Sequence, residues 1–401
     1  MPQLTAESDR GAQAMKSVKD VAGQPMMRAA RLHGPGEKLR IEMIERPSAR
    51  PTDVIVKVMA CGVVPNMINV LHHLAKWPDM HQPALPAIYG LDVSGVIEEV
   101  GSQVHSLSVG DRVYVNPARY CGSCRACRSD NPTACKYFML NGYFGSGEAS
   151  QTLYDDYVYG GFADFMSAPQ YGIVKIPDNL SFEMAARWGY LGTAYAALRR
   201  GGVDMSSTVL INGITGTLGL GAAIFALALG ARKVLGLGRN ADLLECVRAL
   251  CPERIHVASL SGGDEVRAWA RSLTDGDGAD VVIDALPTGG DPMAFRSALA
   301  GLARGGRHVN IGGVSEEVGI NFLQLMNDHK TLVGSLWFTT GQGQDMADLV
   351  ETGTVKLDMF EHEVFALDAI NDVLDGMGCR HGGFSNYVVA PDPKALKGAG
   401  R

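Results

Sequence analysis

Short apolar runs broken by Gly and Pro dominate the first part of the chain, a strand-like pattern. From Arg28 to about Gly110 the runs VIVKVMA, VSGVIEEVG and GDRVYV each predict a strand. The stretch 121–159 has no such period and is loop-rich and aromatic. Beyond about Leu180 the rhythm changes to strands alternating with helices. TVLING predicts a strand, LGLGAAIFALALGA a helix and KVLGLG a second strand. Residues 243–250 then predict a helix, ADVVIDAL a strand, 294–303 a helix and GGRHVNIGG a strand. That alternation implies a doubly wound parallel sheet with helices on both faces, an α/β architecture. From about Gly341 the pattern is mixed again and ends on the strand-like NYVVA. No internal repeat or low-complexity tract interrupts it.

At 401 residues the chain is too long for one hydrophobic core, so two domains are expected. A net charge of -7 with 20% charged residues excludes the clustered basic surface that nucleic acid requires. The richest apolar stretch, 218–229, is too short to span a bilayer, so no membrane segment is expected. Residues 1–26 are polar, lack an apolar signal core and predict a flexible extension, or else a partner-binding arm or a segment foreign to the fold. With eight cysteines and no sign of secretion, a cytoplasmic protein with thiols or a metal site is expected before disulfides.

The first strand of the alternating half runs into Gly213-Ile214-Thr215-Gly216-Thr217-Leu218-Gly219 and then a helix. Glycine there allows a tight turn and close approach of backbone N–H groups to a pyrophosphate, and the helix N-terminus adds partial positive charge. The set predicts a dinucleotide site. An NAD enzyme usually carries an acidic residue at the tip of the second strand to hold the ribose 2′-hydroxyl. Here the tip reads Gly238-Arg239-Asn240. Gly238 leaves room, Arg239 can pair with a 2′-phosphate and Asn240 can add a hydrogen bond, which predicts NADPH. The alternative for Arg239 is a solvated loop arginine.

Cys121, Cys124, Cys127 and Cys135 lie within fifteen residues. Four thiolates at this spacing can close a tetrahedron around one structural Zn²⁺ per chain. An iron–sulfur cluster is the other metal such ligands hold. Cys61, Cys246, Cys251 and Cys379 are scattered and read as small hydrophobes.

GVIEEVGSQVHSLSVGDRVYV, the four-cysteine lobe, GGFADFM, Val174-Lys175-Ile176-Pro177-Asp178, a Thr193-Ala194-Tyr195 turn and the glycine-rich loop follow one another in the order of the medium-chain dehydrogenase/reductases. The chain resembles that superfamily from Met27 onward. The resemblance implies a GroES-like catalytic domain over 27–180 and again 341–401. It places a Rossmann nucleotide domain over 181–340, with the reaction cleft between the two. It also implies a small-molecule substrate, a homodimer or homotetramer, and a part for Thr193 in cofactor binding.

Zinc alcohol dehydrogenases of this superfamily bind a catalytic zinc through Gly-x-Cys-x-Ser/Thr-Asp, a His-Glu pair after a glycine, and a further ligand near the domain junction. Here Val64 and Leu91 stand in the first two ligand places, and Trp188-Gly189-Tyr190 offers none at the junction. Val and Leu have no lone pair for zinc. Gly90-Leu91-Asp92-Val93-Ser94-Gly95 instead is similar to the zinc-free quinone oxidoreductase branch, from which the four-cysteine lobe departs. His72, His73 and His81 could build a replacement metal site with Asp92, or be surface residues.

Without a metal, hydrogen-bond donors must stabilise the developing oxyanion, or the substrate must spread the charge itself. The expected reaction is NADPH-dependent reduction of a conjugated alkene, quinone or activated carbonyl, with Asn66, Asn69 and Tyr190 as candidate donors. Two alternatives stay open. One is an alcohol dehydrogenase or ketone reductase with a displaced metal site; the other is a non-catalytic NADPH-binding structural or regulatory protein. The aromatics Tyr137, Phe138, Tyr143, Phe144, Tyr154, Tyr157 and Tyr159 either line a substrate pocket or pack loops and subunits. Trp337-Phe338 stands where the family places residues near the nicotinamide and the dimer contact.

Overall fold

The structure, a computed structural model, describes residues 25–72 and 80–398. The expected extension falls outside these residues up to 24, as does His73, and the first strand starts at Met26.

Two sheets organise the chain. The first is seven-stranded, in the order Ile173–Lys175, Arg112–Val115, Asp92–Val100, Asp53–Gly62, Ser385–Ala390, Glu361–Ala366, with Phe165–Pro169 also pairing with Asp53–Gly62. Asp53–Gly62 is buried on both faces, so its run VIVKVMA shows no clean alternation. It pairs antiparallel with Ser385–Ala390, which brings both ends of the chain into one sheet. A three-stranded sheet, Arg40–Glu45, Met26–Leu32 and Ala87–Ile88, packs beside it.

The second sheet is parallel throughout and six-stranded: Ile255–Ala258, Lys233–Leu237, Thr208–Asn212, Ala279–Asp284, Leu302–Asn310, Thr331–Gly334. Numbered along the chain, that order is 3-2-1-4-5-6, the doubly wound Rossmann arrangement. Its winding reverses between Thr208–Asn212 and Ala279–Asp284, and ligands bind beyond the carboxyl ends of the strands at such a point. The α/β class and the two-part architecture stand as expected.

Three local expectations are corrected. The helix placed at 294–303 runs Pro292–Ala300, and Leu302 and Ala303 begin the next strand. Its start is set by Asp291, whose carboxylate accepts from the Met293 N–H at 2.8 Å, with Pro292 at the first helical position. The Thr193-Ala194-Tyr195 turn is no turn but the middle of the helix Trp188–Gly201, which packs on the helix Thr217–Ala228. Its Gly and Ala residues let neighbouring rings and helices come close, and they hid an apolar face behind low side-chain volume. Ile255–Ala258 and the helix Gly263–Ser272 were missed; the strand is short and the helix is the most polar of the Rossmann half.

Candidate active site

The glycine-rich loop follows the strand Thr208–Asn212, and its turn is held by the N–H groups of Gly213 and Ile214, both donating to Leu237 O at 2.9 and 3.0 Å. Gly216 caps the helix that starts at Thr217. At Gly219 a Cβ would lie 2.2 Å from the Gly213 carbonyl oxygen, so helix and strand meet here only because the side chain is absent. At the winding switch, Asn212 Nδ2 donates to Asp284 Oδ2 at 2.8 Å, tying the two strand tips together. Burial pushes the Asp284 carboxyl up to about 6, against that hydrogen bond.

Arg239 is exposed at the tip of the second strand, with its guanidinium in no hydrogen bond or ion pair among the described residues. Asn240 has a job already: its side-chain oxygen accepts from the Leu243 N–H at 3.0 Å and caps the helix Ala241–Ala249. Only its amide N–H₂ is left to face a ligand. The Thr193 hydroxyl is buried and donates to the Gly189 carbonyl at 2.8 Å, a bond within its own helix.

The segment Arg380–Phe384 reaches across from the other sheet onto the glycine-rich loop. The Gly383 N–H donates to Thr215 O at 2.8 Å. Beside this junction lies a narrow cleft, lined by Val64, Asp92, Tyr190, Thr217, Arg380 and Asn386 among others. Tyr190 and Thr217 belong to the dinucleotide half, and Val64, Asp92, Arg380 and Asn386 to the other, so the cleft joins the two halves.

Val64 and Leu91, the residues in the catalytic-ligand positions, are both buried apolar side chains. The structure does bring Asn66, Asn69 and Tyr190 together. Asn66 Nδ2 donates to the Tyr143 hydroxyl at 3.0 Å, and Asn66 Oδ1 accepts from Asn69 Nδ2 at 2.8 Å and from Thr288 Oγ1 at 3.1 Å. Thr288 follows the strand Ala279–Asp284 in the dinucleotide half, so the amide also ties the two halves together. The Asn66 backbone N–H faces the Tyr190 hydroxyl, whose phenol is pushed well up by burial.

Sequence reasoning named Asp92 only as a motif residue and possible metal ligand, and passed over Arg187; both are buried at the cleft. Asp92 is 1% exposed, and its Oδ1 accepts from the Tyr114 hydroxyl at 2.8 Å. Burial pushes its carboxyl up to about 7, opposed by Tyr114, by the Gly189 N–H and by the nearby Arg187 charge. Arg187 is 3% exposed; it donates to the carbonyls of Ser385, at 2.7 Å, and Gly383, and lies 4.0 Å from the Phe360 ring centre. Burial, with Arg380 nearby, pushes its guanidinium down to about 9. The available signal was a single arginine inside the apolar run AARWGYLGTAYAAL, since a charge there must be buried with partners or break the run.

The four cysteines of the lobe gather with their sulfurs all within 4.8 Å of one another, Cys124 to Cys127 at 3.5 Å and Cys135 to Cys121 at 3.6 Å. A Zn–S bond of about 2.3 Å gives tetrahedron edges of about 3.8 Å, so these donors fit zinc closely. Among the described residues no other group of three or more His, Cys, Asp or Glu side chains converges in this way. His81 instead shares a hydrogen bond with Gln151 Oε1 at 2.8 Å, and His72 ends the helix Met67–His72.

Of the aromatic stretch, Phe138, Phe144, Tyr154 and Tyr157 are buried packing, and Tyr143 alone reaches a candidate donor. Trp337 and Phe338 wedge against the helix Trp188–Gly201. Trp337 Nε1 donates to Asn116 Oδ1 at 2.9 Å, and the Phe338 ring fills the space over Gly192. Among the described residues no helix is long and apolar enough to cross a membrane.

The model of the alcohol dehydrogenase GroES-like domain matches residues 50–178, and that of the zinc-binding dehydrogenases matches 217–352. The protein belongs to the medium-chain dehydrogenase/reductase superfamily and is an oxidoreductase of the alcohol dehydrogenase-like kind. An alcohol dehydrogenase of Geobacillus stearothermophilus is 33% identical over 354 residues, covering 88% of this chain and 96% of its own. A sorbitol dehydrogenase of Bacillus subtilis is 27% identical, covering 87% and 93%. Among solved structures, AibC superposes with a TM-score of 0.78 at 26% identity, covering 95% of this chain and 100% of its own. The cobalt- and zinc-bound alcohol dehydrogenase of Pyrobaculum aerophilum superposes with a TM-score of 0.73 at 26% identity, covering 91% and 100%.

Proposed function

We propose that this protein transfers hydride from NADPH to a conjugated alkene, a quinone or an activated carbonyl, with no metal in the reaction cleft. The observation that carries the reading is the donor set of the cleft. Val64 and Leu91 occupy ligand positions with buried hydrocarbon, while the Asn386 amide, the Tyr190 and Tyr387 phenols, the Asp92 carboxyl and the Arg187 and Arg380 guanidinium groups line the cleft beside Val64. Bound at the glycine-rich loop, the reduced nicotinamide supplies hydride. The residues named here hold the substrate and answer the charge that develops on it. One zinc per chain, in the cysteine lobe, with turnover on an enone and quinone panel, is the expected result. Two zinc ions per chain would point to an alcohol dehydrogenase with a displaced metal site. No hydride transfer to any acceptor would leave a binding protein.

Gly238 and Arg239 support NADPH over NADH. NADPH should bind at least about ten-fold tighter, since a charge-assisted guanidinium–phosphate bond contributes roughly 1.5–3 kcal/mol. Arg239→Ala should erase most of that preference and leave NADH binding nearly unchanged. Equal dissociation constants in the unaltered protein at one ionic strength would refute it.

Self-association is supported by one surface. Thr331–Gly334 is an edge strand, and beside it Phe322, Leu323 and Met326 are exposed at 74%, 64% and 64%. A second copy of the chain, placed by a two-fold axis, would cover both the open edge and the apolar patch. Sedimentation should give the mass of two or four chains, and Phe322→Glu with Met326→Glu should shift it toward one. A single-chain mass for the unaltered protein would refute this.

A further inference from the structure

We propose that Asp92, on the wall of the cleft between the two halves, is the proton donor that completes what the hydride begins. The inference rests on the metal-free reduction proposed above and adds the group that closes its proton balance.

The placement is a built one. Asp92 lies on the strand Asp92–Val100, where the seven-stranded sheet meets the N-terminal end of the helix Trp188–Gly201, and it lines the cleft with Val64 and Tyr190. Its two oxygens are closely fitted by that helix: a Cβ on Gly189 would come within 2.2 Å of Oδ1 and 2.7 Å of Oδ2. Tyr114 and the Gly189 N–H donate to the carboxyl. The charged and titratable groups facing it are Tyr114 from the neighbouring strand and Cys61 from the strand Asp53–Gly62. Arg187 and Tyr190 face it from the helix and its cap, and Tyr143 from the lobe. Only Arg187 is a cation that acts directly on it, and its guanidinium is committed to the carbonyls of Gly383 and Ser385. A carboxyl buried so deeply, whose one counter-charge makes its hydrogen bonds elsewhere, holds its proton near neutral pH, and burial does push it up to about 7.

The balance is simple. Hydride from the reduced nicotinamide adds to the substrate carbon, and the electron pair of the C=O or conjugated C=C–C=O system moves onto oxygen. The Asp92 O–H bond breaks, its proton bonds to that oxygen, and the O–H electron pair stays on the carboxylate. Tyr114, the Gly189 N–H and Arg187 then stabilise the anion until solvent reprotonates it. Cofactor is oxidised, substrate is reduced, and one solvent proton is consumed per turnover.

Two measurements on the full-length protein test this. In turnover, the wild type should lose kcat/KM as pH rises through about 7. Asp92→Asn should lower kcat at least about 10²-fold, abolish that limb and leave NADPH affinity unchanged. Tyr114→Phe removes a donor to the anion, so its limb should move to higher pH. The second readout needs no substrate. Because the folded carboxyl titrates above the unfolded value of about 3.9, charging it costs the folded state progressively between there and about 7. The melting temperature of Asp92→Asn should therefore gain on wild type by about 4 °C between pH 4.5 and pH 7.5, and hardly further above. Wild-type turnover with Asp92→Asn unimpaired, a Tyr114→Phe limb that stays put or falls, or a pH-independent melting difference would each overturn the donor. A wild type that reduces no acceptor would overturn the underlying reading as well. If Asp92→Asn does not fold, the Tyr114→Phe limb decides alone.

Discussion

Cys124→Ser is expected to shed the zinc of the cysteine lobe and lower the melting temperature by roughly 5 °C, from a loss of about 4 kcal/mol. The size follows from how little else holds this lobe. The helix Arg125–Arg128 and the turn Pro132–Ala134 contribute no buried residue, so there is almost no apolar surface to replace the metal. What remains is Cys135, buried beside the core, and a few turn hydrogen bonds such as Asn131 N–H to Ala126 O at 3.0 Å. All four thiolates face one centre, which leaves no coordination place for a substrate. Activity should therefore fall only in step with the folded fraction. Metal content by mass spectrometry, melting by circular dichroism and turnover per folded chain check the three statements together. A mild chelator that stops turnover at once while the fold stays intact would show that the lobe zinc is not only structural.

How legible the rest was depended on whether a function was local in sequence. The glycine-rich loop and the four cysteines are short spacings whose chemistry is carried by neighbouring residues, and the folded chain puts them where the spacing implied. The parallel sheet was legible because a buried strand and an amphipathic helix differ in period. The cleft was not, because its members come from four separate segments: Val64, Asp92, Arg187 with Tyr190, and Asn386 are brought together only by the return of the chain's C-terminal strand. The segment around Thr193 was misread as a turn for a different reason. A motif taken over from relatives carries a position, whereas the use of a hydroxyl is decided by local geometry, and here it bonds within its own helix. Asn240 shows the same competition, since an Asn before a helix caps it before it serves a ligand.

Asn66→Ala is expected to lower kcat by roughly 10²-fold if the amide meets the developing oxyanion, the usual cost of deleting one such donor. The structure adds a second way for the same substitution to act. Asn66 Oδ1 receives Asn69 and Thr288, so the side chain also fastens one half of the molecule to the other across the cleft. Two further variants separate these roles. Thr288→Val breaks only the tie between the halves, and its effect should fall mainly on KM, because closure of the cleft changes while the donor stays. Asn66→Asp keeps an oxygen for Asn69 and Thr288 but has no N–H for Tyr143 or for substrate, so it should share the full loss in kcat. A donor that acts only as charge develops lowers kcat and kcat/KM together and leaves NADPH affinity alone. If Thr288→Val reproduces the whole loss, Asn66 works by holding the cleft shut. If all three variants turn over like the wild type, the Tyr190 phenol and the substrate's own conjugation carry the charge.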